Sequence, residues 1–189
     1  MKGKFGIMSK AIGMVEYKTV SSGMTAADTM VKTSKVDIIQ AATVCPGKYI
    51  VLITGELSAV RASIDASKVK FPDQLSDSFV LGNPHEDIFK AIYGGGEIGE
   101  AKALGVLETF SAPSIIVAAD TAAKAADVKL IELRIARGMC GKSYMLLTGT
   151  VASVTAAIDR AKVVVGDEGM LLDFSVIPNP DKELWSTIL

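Results

Sequence analysis

The sequence repeats itself. Shifted by 92 residues, Lys10-Ala11-Ile12-Gly13-Met14-Val15-Glu16 lies over Lys102-Ala103-Leu104-Gly105-Val106-Leu107-Glu108. The same shift lays Ala26-Ala27-Asp28-Thr29 over Ala118-Ala119-Asp120-Thr121, and Val36 and Ile39 over Val128 and Ile131. The offset then becomes 94, with Gly47-Lys48 over Gly141-Lys142, Thr54-Gly55 over Thr148-Gly149, and Ala62, Ile64 and Asp65 over Ala156, Ile158 and Asp159. Near the end it is 96, with Asn83-Pro84 over Asn179-Pro180. Preserved order broken only by two small insertions, the first just before Gly141, marks a duplicated domain. The period is far longer than that of a solenoid repeat. Each copy, at roughly 85 residues, can hold a small core of its own. The expected domains are 8–93 and 101–189, joined by a flexible Gly94-Gly95-Gly96 link.

Both copies read alike. Residues 11–18 alternate around Ile12, Met14 and Tyr17 as a first strand. Met24, Ala27, Met30 and Val31 recur at helical spacing. The β-branched run from Val36 to Val44 predicts a second strand, and Tyr49 to Thr54 a third, almost wholly apolar one. Cys45-Pro46-Gly47-Lys48 between them is a turn, because proline cannot donate to a ladder and glycine permits positive φ. Ser58 is the expected cap of a second helix carrying Val60 and Ile64. Phe79 to Leu81 predicts a short fourth strand, and Asn83-Pro84 a cap and first position for a short terminal helix. The order βαββαβ is a ferredoxin-like split βαβ arrangement, an α/β (α+β) fold written twice.

Composition narrows the function. Net charge is −1, so no basic excess calls for nucleic acid or an anionic membrane. Hydrophobic content is 49%, yet runs such as Ser114 to Ala119 fall far short of the roughly 20 residues that span a bilayer. No charged-then-apolar signal segment opens the chain, and Met8 is a second plausible start, so Met1 to Ile7 reads as an extension. With only 22% charged residues, so apolar a chain is expected to cover surface in an assembly. Cys45 and Cys140 form no C-x-x-C pair, and nothing points to secretion, so a reducing cytoplasm is expected.

Several motifs imitate chemistry. Gly94-x-Gly96-x-x-Gly99 matches a dinucleotide fingerprint, but it follows a helix and precedes a strand, the reverse of what the fingerprint needs. Gly141-Lys142-Ser143 resembles the end of a P-loop, but Ala136 stands where glycine is required, and a strand follows where a helix N-terminus must hold the phosphates. His85, the single histidine, has no recognisable nucleophile beside it and reads as a surface residue in the first turn of the short helix. Glu16 and Glu108 are equivalent in the two copies and read as structural. No catalytic residue is assigned, and no enzymatic activity is expected.

The strand Ala11-Ile12-Gly13-Met14-Val15-Glu16, the helix with Ala26-Ala27-Asp28-Thr29-Met30-Val31-Lys32, the turn ending Gly47-Lys48 and the Thr54-Gly55-Glu56-Leu57 entry to the next helix together resemble the bacterial microcompartment shell domain. The likeness covers nearly all of both copies. The tandem form, Cys45-Pro46-Gly47-Lys48 and the end Ser175-Val176-Ile177-Pro178-Asn179-Pro180 with Trp185 resemble iron–sulfur members of that family.

The resemblance implies a structural shell protein, in a compartment within the cytoplasm. Its chains would form homotrimers with six domains about one pore, tiling the shell beside hexameric shell proteins. A heterologous interface repeated about an axis closes a ring, and two domains per chain in three chains make six. It further implies that Lys32 and Lys124 lie at the edge where rings meet; without it, both simply solvate a helix face. The pore lining it implies is Cys45, Pro46, Gly47 and Lys48 from the first copy, and Met139, Cys140, Gly141 and Lys142 from the second. Because the two turns differ, the pore would be threefold in its chemistry.

A lone cysteine is usually a small buried hydrophobe. Cys45 precedes Pro-Gly in a turn, and turns lie at surfaces. Three Cys45 thiolates on a threefold axis would fall one short of the usual four. They could hold three irons of a [4Fe–4S] cluster and leave the fourth to another ligand, as the resemblance implies. Metal, helped by Lys48, would favour the thiolate. A free thiol at an empty pore and adventitious zinc on three sulfurs stay open. Cys140, which aligns with Pro46, reads as a small residue of the pore wall, with extra sulfur ligation as the other possibility. A cluster there would pass electrons across the shell or supply a cluster to an enclosed redox enzyme. The alternatives are a metal-free metabolite pore and a free-standing small-molecule-binding trimer.

Overall fold

The computed structural model describes residues 11–95 and 102–188. The leading segment 1–10, the last glycine of the expected Gly94-Gly95-Gly96 link and residues 96–99 of the Gly94-x-Gly96-x-x-Gly99 match lie outside the described residues. The chain divides into two compact units.

The first unit holds β1 (Ala11–Tyr17), α1 (Val20–Thr33), β2 (Val36–Val44), β3 (Lys48–Gly55), α2 (Leu57–Lys70) and β4 (Leu75–Leu81), except that Val44, with Cys45 and Pro46 after it, groups with the second unit. Its sheet has the order β2-β3-β1-β4, with β1 antiparallel to both β3 and β4. The expected ferredoxin-like arrangement is therefore the observed one. β1 is central, and all seven of its residues are buried. Ala11, Val15 and Tyr17 join Ala26, Ala27 and Met30 of α1 and Val60 and Ile64 of α2 in one apolar cluster. Side chains alternate across a strand, so Ile12, Met14 and Glu16 belong to the opposite face. Gly13 falls on the helix side for a reason: a Cβ there would come within 2.8 Å of Cγ1 atoms of both Val60 and Ile64.

The second unit repeats the plan with α3 (Asp87–Ile92), β5 (Ala103–Thr109), α4 (Ala112–Ala125), β6 (Val128–Arg134), β7 (Ser143–Gly149), α5 (Val151–Asp167), β8 (Leu171–Pro178) and α6 (Lys182–Ser186). Its strand order is β6-β7-β5-β8. Gly105 stands where Gly13 stands, and a Cβ there would meet Leu147 at 2.7 Å and Val154 at 2.9 Å. On the face away from α4 and α5, Trp185 of α6 packs with Leu104 and Ile131. The short helix α3 ends the first copy in sequence but belongs by its contacts to the second unit, against β6 and α4.

Three local expectations need correction. The second helix starts at Leu57 with Glu56, not Ser58, at the N-cap. The equivalent Thr150 does cap its helix, accepting from the Ser153 amide at 3.1 Å. Asn83 is no cap: its φ of 58°, matched by 50° at Asn179, bends the chain through the left-handed region, and the helix waits until Asp87. Asparagine visits that region more readily than most residues. β4 begins at Leu75 rather than Phe79, because Asp77 and Ser78 and, past a register shift at Ser76, Leu75 pair with β1, which fixes an extended backbone that periodicity does not reveal.

Candidate functional site

The candidate site is built on the turn at the end of β2 and its counterpart after β6. The first turn is tight. β2 ends at Val44 and β3 begins at Lys48. The Cys45–Pro46 peptide bond is cis, and Gly47 has φ of 108° with no atom within 4 Å of where a Cβ would stand. Only glycine holds that conformation at little cost, and the open space lets solvent or solute approach the backbone. Pro46 and Gly47 are exposed and Cys45 is half-buried. Cys45 forms no disulfide, and its amide donates to the carbonyl oxygen of Ala136 at 3.1 Å.

Lys48 points to another task. Its Nζ lies 2.6 Å from Oε1 of Glu16, a carboxylate fully buried on the face of the sheet away from the helices. The charge expected to favour the Cys45 thiolate is thus neutralised by a carboxylate, which corrects the reading of Lys48 as a helper of Cys45. Glu16 is structural, as expected from its repetition.

The second turn is longer, running between Arg134 and Ser143, and is wound through positive φ at Ala136 (53°), Gly138 (71°), Cys140 (52°) and Gly141 (87°). The Ala136 amide donates to Ser143 Oγ at 3.0 Å and the Lys142 amide to the Met139 carbonyl at 3.1 Å, which closes the loop on itself. Cys140 and Lys142 are exposed, Met139 is half-buried and Gly141 is buried. On the strands beneath, Tyr144 donates to Glu132 Oε2 at 2.7 Å while Arg134 donates twice to Oε1. Burial first, then the hydrogen bond to Glu132 and its charge, push the Tyr144 phenol up to about 12. This cluster has no equivalent in the first copy, where Ile50 replaces Tyr144, and sequence reading did not single it out. A β-bulge between Leu130 and Glu132 sets its register, which single-chain periodicity does not show.

The remaining candidates are scattered. Lys32 pairs with Asp28 and Lys124 with Asp120, each across one helical turn at 2.7 Å. His85 is half-buried and precedes its helix; its amide donates to Asp120 Oδ1 at 2.8 Å, and its Nδ1 accepts from the Asp87 amide at 3.3 Å. Gly141-Lys142-Ser143 runs into β7, a strand, as expected. Among the described residues no three His, Cys, Asp or Glu side chains of one chain gather as a metal site. No helix among them is long and apolar enough to cross a membrane.

Two ferredoxin-like units in one chain, with corresponding but chemically different turns at one corner of each sheet, define a duplicated α+β protein of the shell-domain class. Comparison with known proteins gives the same answer. The BMC domain model matches residues 11–84 and again 103–180. The chain is 38% identical over 178 residues to the bacterial microcompartment shell protein PduT of Citrobacter freundii, covering 94% of this chain and 97% of that protein. A microcompartment protein from Desulfitobacterium hafniense superposes with a TM-score of 0.82 at 45% identity, covering 94% of this chain and 98% of the other. Single-domain relatives align with half of the chain, as does PduA of Citrobacter freundii, 30% identical over 88 residues, 46% of this chain and 95% of that protein. The chain belongs to the bacterial microcompartment shell-protein family, in its tandem-domain form.

Proposed function

We propose that three copies of this shell protein close into a ring of six domains that tiles a facet beside hexameric shell proteins, with a [4Fe–4S] cluster held at the central pore by Cys45 of the three chains. The observation that carries the reading is Cys45 itself: a free thiol at the end of an edge strand, in a turn whose Pro46 and Gly47 are exposed. A soft thiolate suits iron–sulfur chemistry. One chain brings no complete ligand set together among its described residues, so a cluster here must draw thiolates from several chains. Cys140 is exposed in a turn of different shape, and in this reading it lines the wall with Met139, Gly141 and Lys142.

A cluster held there by the three Cys45 thiolates would supply one-electron chemistry across the shell, or would be cargo for an enclosed enzyme. The residues present do the holding: the Ala136 carbonyl fixes the Cys45 amide, and the Lys48–Glu16 pair fixes the start of β3. Lys32 and Lys124 stand on helix surfaces and serve the contact between rings in this reading.

The test is anaerobic purification followed by iron and acid-labile sulfide analysis. One cluster per three chains is expected, lost in Cys45→Ser and kept in Cys140→Ser. A colourless protein that also resists reconstitution defeats the cluster. It would leave the metal-free pore, which the open space at Gly47 favours because a solute can reach the backbone there. Retention of the cluster through redox cycles marks electron transfer, and its loss to an apo acceptor marks delivery. A trimer that does not co-assemble with shell hexamers would instead be a free-standing binding protein.

A further inference from the structure

The duplication makes each unit a control for the other, and the two turns use their cations differently. Lys48 in the first turn gives its charge to Glu16 at 2.6 Å. Its repeat, Lys142, is exposed and meets no carboxylate among the described residues. Arg137 belongs to the longer second turn; it is exposed and unpaired in the same way. Arg134 differs, because Glu132 accepts from it twice. The second turn therefore carries two uncompensated positive charges where the first carries a neutralised one.

The backbone of the second turn adds donors to those charges. Its φ is positive at Ala136 (53°), Gly138 (71°) and Cys140 (52°), but not at Arg137 and Met139 between them. Such alternation turns successive N–H groups toward one side and makes a concavity that suits an anion. The amides of Arg137, Gly138, Met139, Cys140 and Gly141 donate to no acceptor among the described residues. Gly141 is buried, and buried amides are nearly always hydrogen-bonded, so this run of donors calls for an acceptor. A solute can reach it, because no atom lies within 4 Å of where a Cβ of Gly138 would stand.

We propose that the turn from Arg137 to Lys142 binds a phosphate group, with the five free amides as donors and the Arg137 guanidinium and Lys142 ammonium as counter-charges. A tetrahedral dianion offers more oxygens to so many donors than a planar carboxylate does. The arginine fork matches two phosphate oxygens at once, and lysine adds a point charge. Gly141-Lys142-Ser143 lacks the helix of a P-loop, and the free amides of the turn take the place of that helix N-terminus. The site lies beside the candidate cysteine, since the carbonyl that accepts from the Cys45 amide belongs to Ala136, the residue before Arg137. One chain builds it, so it requires neither the ring nor the cluster.

The experiment titrates the full chain, purified without phosphate, by calorimetry at constant ionic strength. The probes are inorganic phosphate, glycerol 3-phosphate and acetate. Saturable binding of one phosphate group per chain is expected, with acetate weaker by about tenfold or more. Arg137→Gln and Lys142→Gln should each weaken phosphate by about fivefold or more, with circular dichroism unchanged. Tighter binding of glycerol 3-phosphate than of inorganic phosphate identifies a phosphate ester as the occupant, and equal binding identifies the free anion. A wild type that binds neither, acetate held as tightly as phosphate, or charge variants that bind like the wild type overturn the proposal. Cys45→Ser is expected to bind phosphate unchanged; loss there would put the anion on a metal and overturn the turn as its site. Iron plays no part in this readout, so a protein without a cluster leaves the proposal standing. In amide spectra, phosphate should shift the resonances of residues 137–141, and shifts confined to other residues overturn it too.

Discussion

The Lys48 ammonium lies 2.6 Å from the buried Glu16 carboxylate, and the pair ties the first residue of β3 to the central strand β1 immediately beside the candidate turn. Charge taken out of water is retained only when it is matched, and removing one partner of such a pair costs far more than the pair contributes. Lys48→Met is therefore expected to lower stability by about 2 kcal/mol, less than for a wholly buried pair because the lysine keeps some solvent. Lys48→Met with Glu16→Gln should recover most of that loss. Urea unfolding of the four chains in the cycle measures it.

Helix packing on the sheet depends on absent side chains at two equivalent sites. At Gly13 and Gly105 a Cβ would approach Val60 and Ile64, or Leu147 and Val154, more closely than van der Waals contact allows. Gly13→Val and Gly105→Val are each expected to cost about 2–3 kcal/mol through forced repacking. Denaturation midpoints should fall for both, whereas an unchanged midpoint would show that the helices can retreat freely.

Trp185 is the chain's one tryptophan and closes the open face of the second sheet over Leu104 and Ile131. Its fluorescence therefore reports on the second unit. Trp185→Ala removes a large buried ring and is expected to cost about 3–5 kcal/mol. Amide exchange should then quicken in β5 and β6 and stay slow in β1 and β3.

Stability at high pH should depend on Tyr144. Its phenol is raised from 10.0 to about 12 by burial and by Glu132, so the folded protein favours the protonated ring. That contribution is complete below pH 10 and is lost as pH climbs from there through about 12. Unfolding midpoints should fall across that window, and Tyr144→Phe should flatten the fall. Phenolate absorbance during an alkaline titration gives the pKa directly.

The architecture was legible in the sequence because it rests on local periodicity repeated twice. Ile12 and Met14 in one copy and Leu104 and Val106 in the other show the same strand, and the register of β1 with β3 and of β5 with β7 matches residue for residue across the offset. Capping was less legible. Ser58 has the right chemistry for an N-cap, but the helix starts one residue before it, where the chain leaves β3. Asn83 has the right chemistry too, and it serves the bend instead. Such choices depend on where neighbouring elements force the chain to turn, which composition does not record.

By itself the sequence determined that there are two like domains, how their strands and helices alternate, and that their turns differ as Cys45-Pro46 against Met139-Cys140. Those are properties of residue order and local conformational preference. Tertiary structure alone decided that Lys48 spends its charge on Glu16, that α3 belongs to the unit after it, and that Lys142 stays open where Lys48 is paired. The physical reason is that burial and ion pairing are set by residues far apart in the chain. Two copies with matching local sequence can therefore fold alike and still expose different surfaces.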